Sequence, residues 1–240
     1  MTRGFQHMTD PSSIQSRFKS KVNLLVVDDD RYILKSLEKK FASPLFKISC
    51  IDTYEGALSS ARDQRVSWHC WILDIDLGKN KSGLDVMKAF PHFPFVVILS
   101  GLQSMSIAAE AVSQGAMAVF DKVPNALERM YDETCKIASL GFLLGGKQTQ
   151  YLPVYRILTK SIITSIEQWA QKAFISERQL HRIIEMHPVD TPKASLSLYY
   201  GLYYLLFKGL SLTSKIQPPQ TTPDHLDFFS NCLAYCEKNF

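Results

Sequence analysis

Asp28, Asp29, Asp74, Ser100 and Lys122 each stand at the close of a short apolar run. Val22-Asn23-Leu24-Leu25-Val26-Val27 leads into Asp28-Asp29, Trp71-Ile72-Leu73 into Asp74, Phe95-Val96-Val97-Ile98-Leu99 into Ser100, and Ala116-Met117-Ala118-Val119-Phe120-Asp121 into Lys122. In an open parallel sheet the residues that follow the strands gather at the carboxyl edge, where ligands bind. Three carboxylates, a hydroxyl and an ammonium meeting there would hold a divalent cation and a transferable phosphoryl group. Each residue also has a plain structural role open to it. Asp28 to Asp30 can cap a helix starting at Arg31, because carboxylates accept its free N–H groups, and Asp30 is assigned that role.

The elements that must position these residues follow from periodicity. Between Lys21 and Leu140, apolar runs alternate with helix-period segments, the pattern of repeated βα units. Strands are expected at 22–27, 46–51, 69–74, 95–99 and 117–121. Helices are expected at 31–41, 54–62, 83–90, 104–114 and 125–140. Right-handed crossovers wind such units into an α/β flavodoxin-like doubly wound five-stranded parallel sheet. Gly141, Gly145 and Gly146 interrupt the periodicity and read as a link over 141–150. Residues 151–240 show no strand alternation and form an all-α domain, while residues 1–20, rich in Ser, Gln and Arg, read as a disordered extension.

A chain of 240 residues with 46% hydrophobic and 21% charged content suits two ordinary globular domains. Its apolar stretches fall short of a membrane span, the longest being interrupted by Gly201. Five scattered cysteines argue against a disulfide framework and for a reducing cytoplasmic setting. Net charge is +4, and the second half carries the excess of bases, a mild attraction for an anionic partner.

The acidic residues, in this order and at these strand ends, resemble the receiver domain of two-component response regulators over residues 21–140. The resemblance implies that Asp74 is the phosphoacceptor and that Asp28 and Asp29 are its acidic partners, with Ser100 the hydroxyl residue and Lys122 the conserved-type lysine. It implies Mg²⁺ held by Asp29 and Asp74, by Asp28 through water and by the backbone carbonyl of Asp76. The implied donor is a sensor histidine kinase or a phosphotransfer protein. Two departures concern the switch and leave the site intact. The position three before Lys122 is Val119 where that family has an aromatic residue, and the usual Lys-Pro pair is opened to Lys122-Val123-Pro124. A haloacid-dehalogenase-type phosphatase is the competing aspartate chemistry, for which Asp28 and Asp30 have the spacing, but the Asp74, Ser100 and Lys122 series favours the receiver.

Residues 165–184 have the build of a helix-turn-helix. Ile166, Trp169, Ala170 and Ala173 share one face, Ser176 is suited to cap the second helix, and Leu180, Ile183 and Ile184 form its apolar side. Arg178, Gln179, His181 and Arg182 would then face the DNA major groove or a neighbouring phosphate. Together with a long helix from Pro192 and a segment Gly209-Leu210-Ser211-Leu212 opening a second unit, this block resembles the first half of an AraC-type DNA-binding domain. The implied function is phosphorylation-controlled transcription by a homodimer. The alternative is a receiver whose helical output domain binds protein and no DNA. The run Leu198 to Leu206 is apolar all round, which suits a core helix with surplus surface for a dimer contact.

Overall fold

The computed structural model describes residues 21–101, 105–185, 191–211, 231–234 and 236. Five parallel strands are present: β1 (Val22–Val27), β2 (Phe46–Ile51), β3 (Cys70–Asp74), β4 (Val96–Ser100) and β5 (Ala118–Asp121). Their order is β2-β1-β3-β4-β5. Leaving β1 the chain turns to one side of the sheet and leaving β3 to the other, which opens a crevice between their carboxyl ends. The last three strands begin one residue later than expected, within the usual fraying of element ends.

Period-two alternation divides the strand residues between two cores. Leu24, Val26, Ile72, Val97 and Leu99 face one side, with α1 (Arg31–Lys40) and α5 (Pro124–Leu143) packed there. Leu25, Val27, Trp71, Leu73, Val96 and Ile98 face the other, under α2 (Tyr54–Arg62), α3 (Gly83–Ala89) and α4 (Met105–Ser113). The helical half adds α6 (Leu152–Lys160), α7 (Ile166–Lys172), α8 (Glu177–Ile184) and α9 (Pro192–Ser211). No helix among the described residues is long and apolar enough to cross a membrane.

Helix α5 runs three residues past the expected Leu140, and Gly141 lies inside it. A Cβ on Gly141 would overlap the carbonyl oxygen of His69, so this glycine lets α5 lie against the start of β3 rather than ending the helix. The chain turns afterwards, at Gly145 (φ 61°) and Gly146 (φ 71°). The apolar cluster under α5 continues without a break through Trp169, Leu180 and Ile184 to α9. Helix α9 uses its all-round apolarity within the chain: Tyr199, Tyr200 and Tyr203 are buried, and Gly201 admits the backbone of Cys232, whose oxygen would lie 2.7 Å from a Cβ there. Gly209, Leu210 and Ser211 belong to this helix rather than opening a new unit. Leu212 lies outside the described residues.

A half-buried polar contact links α5 and α9. Tyr203 of α9 donates its hydroxyl to Asp132 Oδ1 of α5 at 2.7 Å, while Asp132 Oδ2 meets Lys136 Nζ, also at 2.7 Å. Tyr203→Phe leaves that half-buried carboxylate without the donor, and a cost of about 2 kcal/mol in urea unfolding is expected.

His69 accepts the backbone N–H of Asn23 on Nδ1 at 2.9 Å, with Phe142 beside its ring. Burial pushes its pKa down to about 4. The unfolded chain, with an ordinary imidazole pKa near 6.5, binds the proton that the native state excludes. The His69 contribution is therefore complete above pH 6.5 and lost as pH falls towards 4. Between pH 7.5 and 5 it should cost the wild type about 2 kcal/mol. His69→Asn, which keeps an acceptor but does not titrate, should show a correspondingly shallower pH dependence in urea melts.

Candidate functional site

At the end of β1, Asp28 is 1% exposed. Its Oδ1 accepts the Asp30 N–H at 2.9 Å, which holds the carboxylate at the floor of the crevice. Asp29 stands exposed at the mouth. Asp30 N-caps α1, accepting the Tyr32 N–H at 2.7 Å. β3 ends on Asp74, 4% exposed, whose carboxylate accepts the backbone N–H of Asp76. Lys122 follows β5 and donates its backbone N–H to the Ser100 carbonyl at 2.8 Å, tying its turn to the end of β4. Its Nζ lies 2.7 Å from Asp28 Oδ2 and 2.8 Å from Asp74 Oδ2.

The structure thus gathers carboxylates from two strand ends around one ammonium from a third. Asp28, Asp29 and Asp74 each offer an oxygen within 4.8 Å of the others. With a single lysine among three carboxylates, the cluster keeps an excess of negative charge. Burial is the main cause that raises the Asp28 carboxyl above its ordinary range, opposed by Lys122. Burial likewise lifts Asp74 to about 6, with Lys122 opposing and the Asp28 charge adding to the rise. Burial disfavours the Lys122 ammonium, yet hydrogen bonds to Asp28 and Asp74 outweigh that and its pKa is raised. Hard oxygen donors bearing surplus charge fit a hard divalent cation such as Mg²⁺.

Ser100 closes β4, buried, in register with Asp121. Asp76 pairs across the following loop with Ser82. The hydrogen bonds of this bridge come from its neighbours, Leu77 N–H to Lys81 O at 3.0 Å and Gly83 N–H to Ile75 O at 3.1 Å, so the bridge does not use the Asp76 carbonyl. Val119 packs with the α2–α4 side of the sheet and Phe120 with the α5 side, so the aromatic ring does not take the place of Val119. In Lys122-Val123-Pro124 the Val123 N–H bonds back to Asp121 O at 2.8 Å, and Pro124 becomes the first residue of α5, where its fixed φ suits a helix start. One contributor escapes sequence reasoning. Gly83 presses against the Asp74 carbonyl, where a Cβ would overlap it. The only hint is a glycine at the start of a helix.

Arg178, Gln179, His181 and Arg182 lie on α8, in the helical half and on a different element from the acidic cluster. Arg178, Gln179 and Arg182 are exposed and His181 is half-buried. Neither guanidinium has an ion-pair partner among the described residues. Gln179 is the exception to a free face, because its Oε1 accepts the Ser176 N–H at 2.9 Å while Ser176 Oγ accepts the Gln179 N–H at 3.2 Å. That reciprocal capping box commits the acceptor end of the amide. Between α7 and α8, Phe174 adopts a left-handed φ of 56° and turns the chain with its ring exposed.

Residues 24–132 match the family model of the response regulator receiver domain. Solved structures similar to the chain include a signal receiver domain from Vibrio parahaemolyticus, at 20% identity and TM-score 0.46, covering 51% of this chain and 94% of that one. A response regulator receiver domain protein from Methanospirillum hungatei matches at 20% identity and TM-score 0.42, with 49% and 94% covered. A response regulator protein from Burkholderia pseudomallei, solved with a phosphorylated aspartic acid, calcium ion and citrate, matches at 20% identity and TM-score 0.39, with 67% and 96% covered. No curated protein sequence matches the chain.

Proposed function

We propose that the protein, whose residues 24–132 match the family model of the response regulator receiver domain, accepts a phosphoryl group on Asp74 from a sensor histidine kinase or phosphotransfer protein and uses it to control DNA binding by the helical half. The observation that carries the first step is the Lys122 ammonium set against Asp28 and Asp74 beside Asp29. Asp74 supplies the attacking carboxylate oxygen, and the new bond to phosphorus forms as the bond to the donor's leaving group breaks. Lys122 would set its ammonium beside the equatorial phosphoryl oxygens, and Ser100, at the end of β4, would donate its hydroxyl to one of them. Asp29 and Asp74, with Asp28 through water and the Asp76 carbonyl, would hold Mg²⁺. When bound, the cation offsets the negative charge of the phosphoryl oxygens. Release of Lys122 from its present partners is the local charge change that would shift the turn leading into α5.

Beryllofluoride, a tetrahedral phosphoryl mimic, tests this site directly. In the presence of Mg²⁺ calorimetry should show saturable binding to the wild type and none to Asp74→Asn or Asp29→Asn. Binding that survives Asp74→Asn would overturn the assignment.

For the output, the support lies in Arg178 and Arg182 on α8, exposed and without an ion-pair partner among the described residues. Two such helices in a homodimer would meet successive major-groove segments. Arg178→Ala with Arg182→Ala should weaken binding to promoter fragments by at least about tenfold at low salt, as expected when two guanidinium contacts are lost. A wild-type protein that retards no promoter fragment at low salt, with or without beryllofluoride, would instead favour a protein-binding output.

A further inference from the structure

At the edge of the sheet opposite the carboxylates, the approach to β3, the ends of α2 and α3 and the turn after α5 enclose a groove of about 540 Å³. Small-molecule sites commonly have roughly 300–1,000 Å³. Its wall is aromatic. Trp71 stacks on Phe93 with ring centroids 4.1 Å apart, Phe90 meets Trp71 edge-on at 5.6 Å, and Trp68 flanks them.

Two features go beyond an apolar cleft. Trp71 is 2% exposed, and its indole N–H finds no acceptor among the described residues, although buried donors are ordinarily satisfied. Among the described residues the ionisable side chains along the groove are His92 and Lys147, and no carboxylate lines it. A second recess shares His92 and Lys147 and continues towards Gln150, so these two side chains stand midway along one trough. The turn that carries Lys147 is fixed by close packing, since a Cβ on Gly146 would overlap the Trp68 carbonyl.

We infer that this groove binds a small amphipathic anion, a planar apolar body carrying one carboxylate. The body lies against Trp68, Phe90 and Phe93, whose faces and edges suit a flat ring. The carboxylate sits at Lys147 and His92, where a neutral ligand would leave the basic rim without a counter-charge. Such an occupant touches both the phosphoacceptor domain and the turn joining it to the helical half. Its binding does not depend on Asp74.

Calorimetric titration of the full chain with 1-naphthoate, and with 1-naphthylmethanol as its uncharged counterpart, tests the inference. Naphthoate should bind saturably and about tenfold or more tighter than the alcohol, the scale of a charge-assisted contact. His92→Gln with Lys147→Gln should remove that advantage and leave the affinity for the alcohol unchanged. Ala89→Trp, which fills the groove, should weaken both ligands. All three substituted residues are exposed, so the fold should tolerate them. Asp74→Asn should bind naphthoate like the wild type, which separates this site from the phosphoryl site. Absence of naphthoate binding up to millimolar concentration, equal affinity for acid and alcohol, or indifference to the double substitution would each overturn the inference.

Discussion

Asp74→Asn should make the protein more stable at pH 7.5 by about 2 kcal/mol while removing the proposed phosphoacceptor. The reason is the cluster's surplus charge: three carboxylates meet one ammonium, and burial lifts Asp74 to about 6. A folded pKa above the unfolded value near 3.9 means that the native state binds more protons between pH 3.9 and 6. The ionised carboxylate therefore costs stability above pH 6 and costs nothing below 3.9. Asparagine keeps the shape and drops the charge, although Lys122 then loses one of its two partners, which trims the gain. Urea unfolding at pH 7.5 and 4.5 should show the advantage of the variant large at the first and nearly gone at the second. An advantage that is constant with pH would mean that the gain has some other cause.

Lys122→Ala should have the opposite sign and the larger size. Removing the one ammonium leaves Asp28 and Asp74 buried without their counter-ion, and breaking a buried ion pair on one side typically costs about 3–5 kcal/mol. The deficit should shrink as pH falls, because a protonated Asp74 no longer needs the lysine. It should shrink again in the Lys122→Ala, Asp74→Asn double variant. That non-additivity, read from urea melts of the two single variants and the double, measures how strongly the pair is coupled. Additive effects would show that Lys122 is held by something other than these carboxylates.

The strands and the acidic cluster were readable in the sequence for a physical reason. Strands buried on both faces are uninterrupted apolar runs, and the residue closing each run must lie at the carboxyl edge, so Asp28, Asp74 and Lys122 could be placed before their contacts were known. Gly141 misled, because a glycine that permits close approach of two backbones looks the same as one that ends a helix. The Tyr-rich α9 had an obvious need to be buried, but the partner that buries it, α5, lies about seventy residues earlier and leaves no trace in local periodicity. Gln179 was legible in principle. Ser176-Glu177-Arg178-Gln179 is the spacing of a capping box, and that reading would have moved base contacts towards Arg178 and Arg182. The left-handed backbone at Phe174 had no local signal, since asparagine or glycine is the usual occupant of such a turn.

The central claim, that Asp74 carries the phosphoryl group, is tested most directly by intact mass measurement after incubation with acetyl phosphate and Mg²⁺. The wild type should gain a single phosphoryl mass that maps to the peptide containing Asp74 and disappears when Mg²⁺ is chelated. A wild type that gains no adduct, or an adduct that persists in Asp74→Asn or maps to Asp28, would contradict it.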